Sequence, residues 1–516
     1  MKSNYNHSYN NPDCVNATVY FFTDSTLYKK IASNTIAQII SKVLTAGISI
    51  FLIGILTKYL PIELYGSYNK VYSYLWIFAF LADLGLYTLA IREISRDIVP
   101  KEKIIWNILT LRVLMALCVW IVSFFIALLL PGYNDWLTLI AIAIVWAFTL
   151  VSLINSSLLA LMQSQMRMEF SLISVVTGKI INISLIALSL IYVFNETEME
   201  SVAFVSVFVA GFIGISLNTY MNYIYAKKIC SIRFLFDWEY IKNIFHLSLP
   251  YGIALFLSVV YFKIDVILIS LLENPDKADI SIALYGLPMK IVEVLMVLWG
   301  FYLNSVLPSL SEKFRAWKTA EISDILGTSL KVLMSFSLCI FILWSSLATD
   351  IISIIATPEY INPVWHNFNS PFALSLALGV LLFHFISLAF IYVLIASEKQ
   401  WLLLKINIWI TVINIIWNVV LIPYYSFIGA AIVTLFSQAI LMSICSYVVL
   451  KKYSVSKKYY TSIMKTLLLW WVIWVVFNIL IANVSLWSIW NVFIYGVLFA
   501  LIYAGLEYKI SKKIFI

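Results

Sequence analysis

Apolar runs of about twenty residues, each closed by a short polar connection, follow one another from residue 34 almost to the end of the chain. As a helix, such a run crosses hydrocarbon and satisfies its own backbone polar groups there. The pattern predicts an all-α, polytopic membrane protein with fourteen transmembrane helices. Six fall roughly at 34–57, 69–91, 104–130, 137–161, 170–194 and 202–225. Six more fall roughly at 245–272, 284–307, 328–356, 372–396, 402–423 and 427–450, and the last two at 463–484 and 487–507.

Within this pattern a segment recurs. Leu284 to Ile291 reads LYGLPMKI, and Leu64 to Val71 reads LYGSYNKV. Upstream, LTAGISIF (Leu44 to Phe51) resembles LPYGIALF (Leu249 to Phe256). Further along, Ile181-Asn182-Ile183 pairs with Ile413-Asn414-Ile415. The three matches run in the same order at offsets of 205, 220 and 232 residues, as in a duplicated unit whose connections have changed length. Each Leu-Tyr-Gly copy carries a lysine, Lys70 or Lys290, four residues after its glycine.

The basic residues orient the runs. Connections after even-numbered spans hold Arg92, Arg96, Lys101, Lys103, Arg167, Lys227, Lys228, Lys399, Lys451 and Lys452, among others. Connections after odd-numbered spans hold only Lys58 and Lys277. Because positive charge stays inside, this asymmetry places both termini and every even connection in the cytoplasm. Residues 1 to 30 are polar and Asn-rich with no apolar core before a cleavage site, which reads as a cytoplasmic tail and not a signal peptide.

Composition narrows the function classes. The chain of 516 residues is 62% hydrophobic and 12% charged, with a mean hydropathy of +0.95. Soluble domains hold roughly twice that share of charge, and the net charge of +8 therefore concerns membrane orientation, not nucleic acid. Five cysteines and four histidines lie scattered without ligand spacing, so neither a metal nor a cofactor is expected. No connection is large enough to carry a paired-carboxylate site, and no Gly-x-x-x-x-Gly-Lys loop is present. The reading is a non-enzyme.

Nine charges inside the runs stand out: Lys42, Lys70, Arg112, Lys179, Lys263 and Lys290, with Asp83, Asp265 and Glu293. Each costs about 2.5–3.5 kcal/mol near the bilayer centre, so they are expected to face a hydrated interior. Their formal balance of plus three favours an anionic substrate. The acids serve as coupling groups or charge partners. Snorkelling to the nearest membrane face is the competing explanation for Lys42, Lys70, Arg112 and Lys290, and a local ion pair is a further one for Lys290 with Glu293. Trp136, Trp401 and Trp487 sit at span ends, as interfacial anchors do; Tyr74 and Tyr261 are candidates for stacking on sugar rings.

The stretch Asn414 to Gln438, NIIWNVVLIPYYSFIGAAIVTLFSQ, resembles the polysaccharide transporter, or O-antigen flippase, family. That family belongs to the multidrug/oligosaccharidyl-lipid/polysaccharide (MOP) exporter superfamily. Leu81 to Arg96, Tyr261 to Ser270 and the Leu-Tyr-Gly copies add to the likeness, which spreads over residues 34 to 450. Tyr425-Ser426-Phe427-Ile428 departs from the family's more common Tyr-Gly turn. The resemblance implies two six-helix lobes related by a pseudo-twofold axis, plus two C-terminal helices. The expected divisions are a tail at 1–33, an N-lobe at 34–225, a linker at 226–243, a C-lobe at 244–450 and a C-terminal part at 451–516.

The resemblance also implies a flippase that moves undecaprenyl-diphosphate-linked oligosaccharide, an O-antigen or capsule repeat unit, by alternating access. It would act from the cytoplasmic to the outer leaflet of the bacterial inner membrane. The six basic residues would line its cationic cavity. Expected partners are the lipid-linked oligosaccharide, a coupling ion (H+ or Na+), and a polysaccharide polymerase and chain-length regulator in the same membrane. A lipid II flippase and a multidrug or cation antiporter of the same superfamily stay open as alternatives. A membrane polysaccharide polymerase or ligase is the reading from a different class, and the short connections speak against it.

Overall fold

Polar side chains at the ends of the apolar runs set where helices start. Asp135 accepts a hydrogen bond from the Thr138 amide at 2.8 Å, Asp237 from Tyr240 at 3.0 Å, and Asn369 from Phe372 at 3.1 Å. Each satisfies an amide that the first turn leaves without an intrahelical partner. Pro61 and Pro100 precede two other helices, where a missing amide costs nothing.

The computed structural model describes residues 25–96, 98–193, 199–229, 236–297, 306, 310–314, 316, 319–364, 367–397, 399–453, 457–483 and 494–496. In chain order the helices are α1 (Ser25–Tyr59), α2 (Ile62–Asp83), α3 (Leu86–Arg96), α4 (Lys101–Leu129), α5 (Trp136–Ser164), α6 (Met168–Ala187) and α7 (Glu200–Ile229). They continue with α8 (Trp238–Leu272), α9 (Pro275–Val297), α10 (Thr319–Ser346), α11 (Ala348–Ile355), α12 (Ser370–Ala396), α13 (Gln400–Leu450) and α14 (Lys457–Asn483). These labels count helices and not membrane crossings. Among the described residues there is no strand, and nine helical stretches are long and apolar enough to cross a membrane. The chain is a multi-pass, all-α membrane protein.

Several helices start some residues before the expected bounds, and three runs differ from the pattern in more than that. The second run, expected as 69–91, starts at Ile62 and breaks after Asp83, where Leu84 and Gly85 take φ of 41° and 72°. The helix resumes as α3. The eighth, expected from 284, starts at Pro275, because proline suits a first helical turn. The ninth, expected through 356, divides at Leu347 into α10 and α11. The runs expected at 402–423 and 427–450 are the two halves of α13, which meet at Ser426 with φ 52° and ψ −143°. Asn414 and Ser437 lie in hydrogen-bond contact at 3.4 Å. A straight helix would set them about 34 Å apart, so the chain turns back on itself here. The last expected run, 487–507, lies outside the described residues except 494–496, as do the first 24 residues of the expected tail.

Without water to exclude, helices in lipid associate through close packing and polar contacts. At the centre, α2 packs on α4, α5, α8 and α9. The two Leu-Tyr-Gly copies meet across the α2–α9 contact: a Cβ on Gly66 would lie 1.8 Å from the Asp279 carbonyl, and one on Gly286 would lie 2.9 Å from the Asn69 side chain. Gly178 and Gly214 also bring α6 and α7 close, with an added Cβ lying 2.7 Å and 2.8 Å from the facing helix. Outward faces are apolar: Leu117, Ile121, Val122 and Phe125 of α4 are exposed, as a lipid-facing surface requires. Trp136 and Trp401 are exposed at helix starts, where the sequence places interfacial anchors.

Candidate functional site

Helices α1, α2, α5, α6, α7 and α9 surround a cavity of about 490 Å³. Lys42 comes from α1, Lys179 from α6, and Lys290 and Glu293 from α9. The Lys179 ammonium donates to the Ser49 hydroxyl at 2.9 Å. Glu293 forms ion pairs with Lys290 at 3.4 Å and with Lys263. Three lysines and one carboxylate therefore line the cavity, and a fourth lysine, Lys263, pairs with that carboxylate. An anion entering the cavity meets a local excess of positive charge in a low-dielectric frame, which strengthens every such contact. Lysine suits release as well as capture, since its ammonium is a flexible point charge and not a rigid fork.

Four predicted site residues, Lys70, Arg112, Asp83 and Asp265, lie elsewhere. Lys70 turns to Asp279 on α9, with 2.8 Å between ammonium and carboxylate, and Ser67 donates to the same carboxylate at 2.7 Å. Arg112 is fully buried; it pairs with Asp83 at 2.7 Å and donates to Ser157. Asp265 is fully buried in a separate cluster. Tyr285 donates to it at 2.8 Å, Asn418 at 2.9 Å and Thr434 at 2.5 Å, and Asn418 also donates to Asn414.

The repeat explains why matched lysines part company. With the offset of 220, Asp279 corresponds to Tyr59 and Glu293 to Ser73. The duplicated segment kept its lysines, while each acid exists in one copy only. Lys70 follows Gly66 and Ser67 onto the α9 contact and finds Asp279; Lys290 finds Glu293 one turn on. Lys70 does not line the cavity that Lys290 lines.

The tyrosines singled out for stacking are also elsewhere. Tyr74 is buried and donates to the Ser123 carbonyl at 2.6 Å, and Tyr261 is buried beside Gln438. The cavity is walled instead by Tyr65, Tyr68, Tyr72, Trp76 and Phe148, with Asn182 and Asn218. The signal for them was available: 68, 72 and 76 are spaced by four and share one face of a helix. Lys331 of α10, a further charge inside a predicted run, is 8% exposed.

A second cavity of about 210 Å³ adjoins the first. It shares Tyr72, Trp76 and Phe148 with it and ends at Asp83, Tyr87, Ser152 and Ser156. Among the described residues no group of three or more His, Cys, Asp or Glu side chains has metal-binding geometry.

The overall fold is similar to that of solved membrane transporters. "Lipid II flippase MurJ, inward closed conformation" superimposes with a TM-score of 0.67 at 17% identity, covering 93% of this chain and 99% of that one. An inward-facing multidrug resistance MATE family transporter of the MOP superfamily gives 0.62 at 14% identity, over 80% of this chain and 96% of that one. The outward-facing conformation of such a transporter gives 0.57 at 12% identity, over 83% and 96%. No curated protein matches the sequence. Residues 31–314, more than half of the chain, match the family described as "Polysaccharide biosynthesis protein". With that match the chain belongs to the polysaccharide biosynthesis protein family.

Proposed function

We propose that the protein is a flippase for undecaprenyl-diphosphate-linked oligosaccharide, an O-antigen or capsule repeat unit, in the bacterial inner membrane. The observation that carries this reading is the lysine-rich cavity inside a MOP fold, with Lys42, Lys179 and Lys290 on three different helices. A diphosphate needs converging cations that let go again, and helices that can rock apart supply both. The substrate would engage these lysines in the cavity while its prenyl tail stays in lipid. Residues 34–225 and 244–450 would move as two lobes, with both termini cytoplasmic.

Asp265 is the coupling group in this reading. Of the three intramembrane acids singled out in the sequence, Asp83 and Glu293 are held by Arg112 and by lysines. The three donors to Asp265 are the neutral groups Tyr285, Asn418 and Thr434. A buried carboxylate with neutral partners takes up a proton or a sodium ion at low cost, and an ion gradient then biases the transport cycle.

The test is reconstitution. Purified protein in proteoliposomes, supplied with the lipid-linked glycan, should move it when an H+ or Na+ gradient is imposed without ATP. Asp265→Asn should remove the response to the gradient while leaving binding intact. Preference for lipid II over the glycan lipid would replace the substrate reading, and strict dependence on ATP would end the coupling reading.

A further inference from the structure

Tyr68, Tyr72 and Trp76 form one stripe along α2, spaced by four residues, so successive rings step about 6 Å along the helix axis. That step is comparable to the length of one pyranose unit. Ring centroids of Tyr68 and Tyr72 lie 4.7 Å apart. Of the other α2 tyrosines, Tyr74 is closed into the core and Tyr65 is almost wholly buried where it meets the cavity, but Trp76 is 50% exposed and Tyr68 and Tyr72 are partly open. The stripe continues from the first cavity into the second, since Tyr72, Trp76 and Phe148 line both.

The two ends of this track differ chemically. The lysines line only the first cavity, and Asp83 lines only the second. Although Asp83 is paired with Arg112, the guanidinium is wholly buried and absent from the cavity wall, while the carboxylate side chain is 22% exposed. The far end therefore presents acceptors: the Asp83 carboxylate with the Ser152 and Ser156 hydroxyls. A lipid tail would not match a floor of rings beside such groups. A sugar matches both, with its C–H face on the rings and its hydroxyls donating to the walls.

We infer that the α2 aromatic stripe is a glycan subsite, which seats neutral or amino-sugar pyranoses of the substrate from the lysine cluster towards Asp83. This rests on the flippase reading and adds that part of the affinity comes from the sugars, at residues distinct from the lysines. A uronic acid at the far end would meet the Asp83 carboxylate and be disfavoured.

The test compares two probes on purified protein: undecaprenyl diphosphate alone, and the same lipid bearing a neutral oligosaccharide. Tyr72→Leu and Trp76→Leu should each bind the glycan lipid about three- to tenfold more weakly and the bare lipid within about twofold of the wild type. Tyr72→Phe and Trp76→Phe, which keep a ring, should bind both lipids nearly as the wild type does. Thermal unfolding of each variant in detergent shows whether the fold is intact. Leu variants that fold normally and bind the glycan lipid at wild-type strength, or lose both lipids equally, would overturn the subsite. A wild type that binds neither lipid would instead overturn the cationic-cavity reading, whatever the ring variants do.

Discussion

At the scale of single residues, the structure separates a lysine paired between helices, Lys70, from lysines that line the cavity. Lys179 and Lys290 line the cavity, so Lys179→Ala and Lys290→Ala should leave membrane abundance unchanged and lower glycan export. A charge-assisted contact contributes roughly 1.5–3 kcal/mol before screening, which in a hydrated cavity becomes about three- to tenfold in export per lysine. Lys70→Ala should do the opposite. It strands a half-buried Asp279, and a loss of about 1–3 kcal/mol in stability should show as lower abundance and earlier thermal unfolding. Export per molecule should stay near the wild type. Replacing the pair together, by Lys70→Met with Asp279→Leu, should recover part of that stability. Equal export defects per molecule for Lys70→Ala and Lys179→Ala would refute the division. The charges themselves were legible in the sequence because they interrupt apolar runs. Which of them pair was not, because Asp279 lies 209 residues from Lys70 in the chain and has no counterpart in the other repeat.

At the scale of helices, the sequence announces most starts and few breaks. Asp135, Asp237 and Asn369 stand before apolar runs and cap them as their side chains allow. The break at Leu84 has no comparable signal beyond Gly85, since the leucine itself takes positive φ under contact with α8: a Cβ on Gly252 would lie 2.6 Å from its carbonyl. That contact depends on tertiary packing, which apolar periodicity does not record. Asp237 does more than cap. Lys103 of α4 pairs with it at 2.6 Å, and the Asn107 side chain accepts from its amide at 2.8 Å. The hydrogen bond from Lys103 holds the Asp237 carboxyl below the usual carboxylate range. A depressed folded-state value means this contact stabilises above the ordinary aspartate range and is lost as pH falls through the lower value. Asp237→Asn, which keeps an acceptor for the cap, should therefore melt slightly below the wild type at neutral pH and converge with it in acid. Asp237→Ala should melt lower at either pH. No convergence between wild type and Asn in acid would show that the ion pair is not the source.

At the scale of the whole molecule, orientation is the prediction with the widest reach. With the native cysteines removed, a cysteine at Glu359 should react with an impermeant maleimide from outside intact cells. One at Lys452 should react only after permeabilisation. Labelling of both from one side would rule out the expected succession of crossings between them. The all-α class and the positions of most helices were legible because lipid imposes one length and one periodicity on a crossing. The cavity was legible as an excess of buried positive charge; its aromatic walls left only a four-residue spacing, which does not stand out because aromatic residues are abundant everywhere in this chain. The meeting of the two Leu-Tyr-Gly copies across α2 and α9 has a consequence for how the protein changes over time. Duplicated segments that serve separate sites are free to diverge, but these two are each other's neighbours. A side chain added at Gly66 collides with the backbone beside the second copy, and one added at Gly286 collides with Asn69 of the first. Each copy is thus part of the environment that selects the other. A chain whose other repeated stretches have blurred can keep this octet readable in both halves.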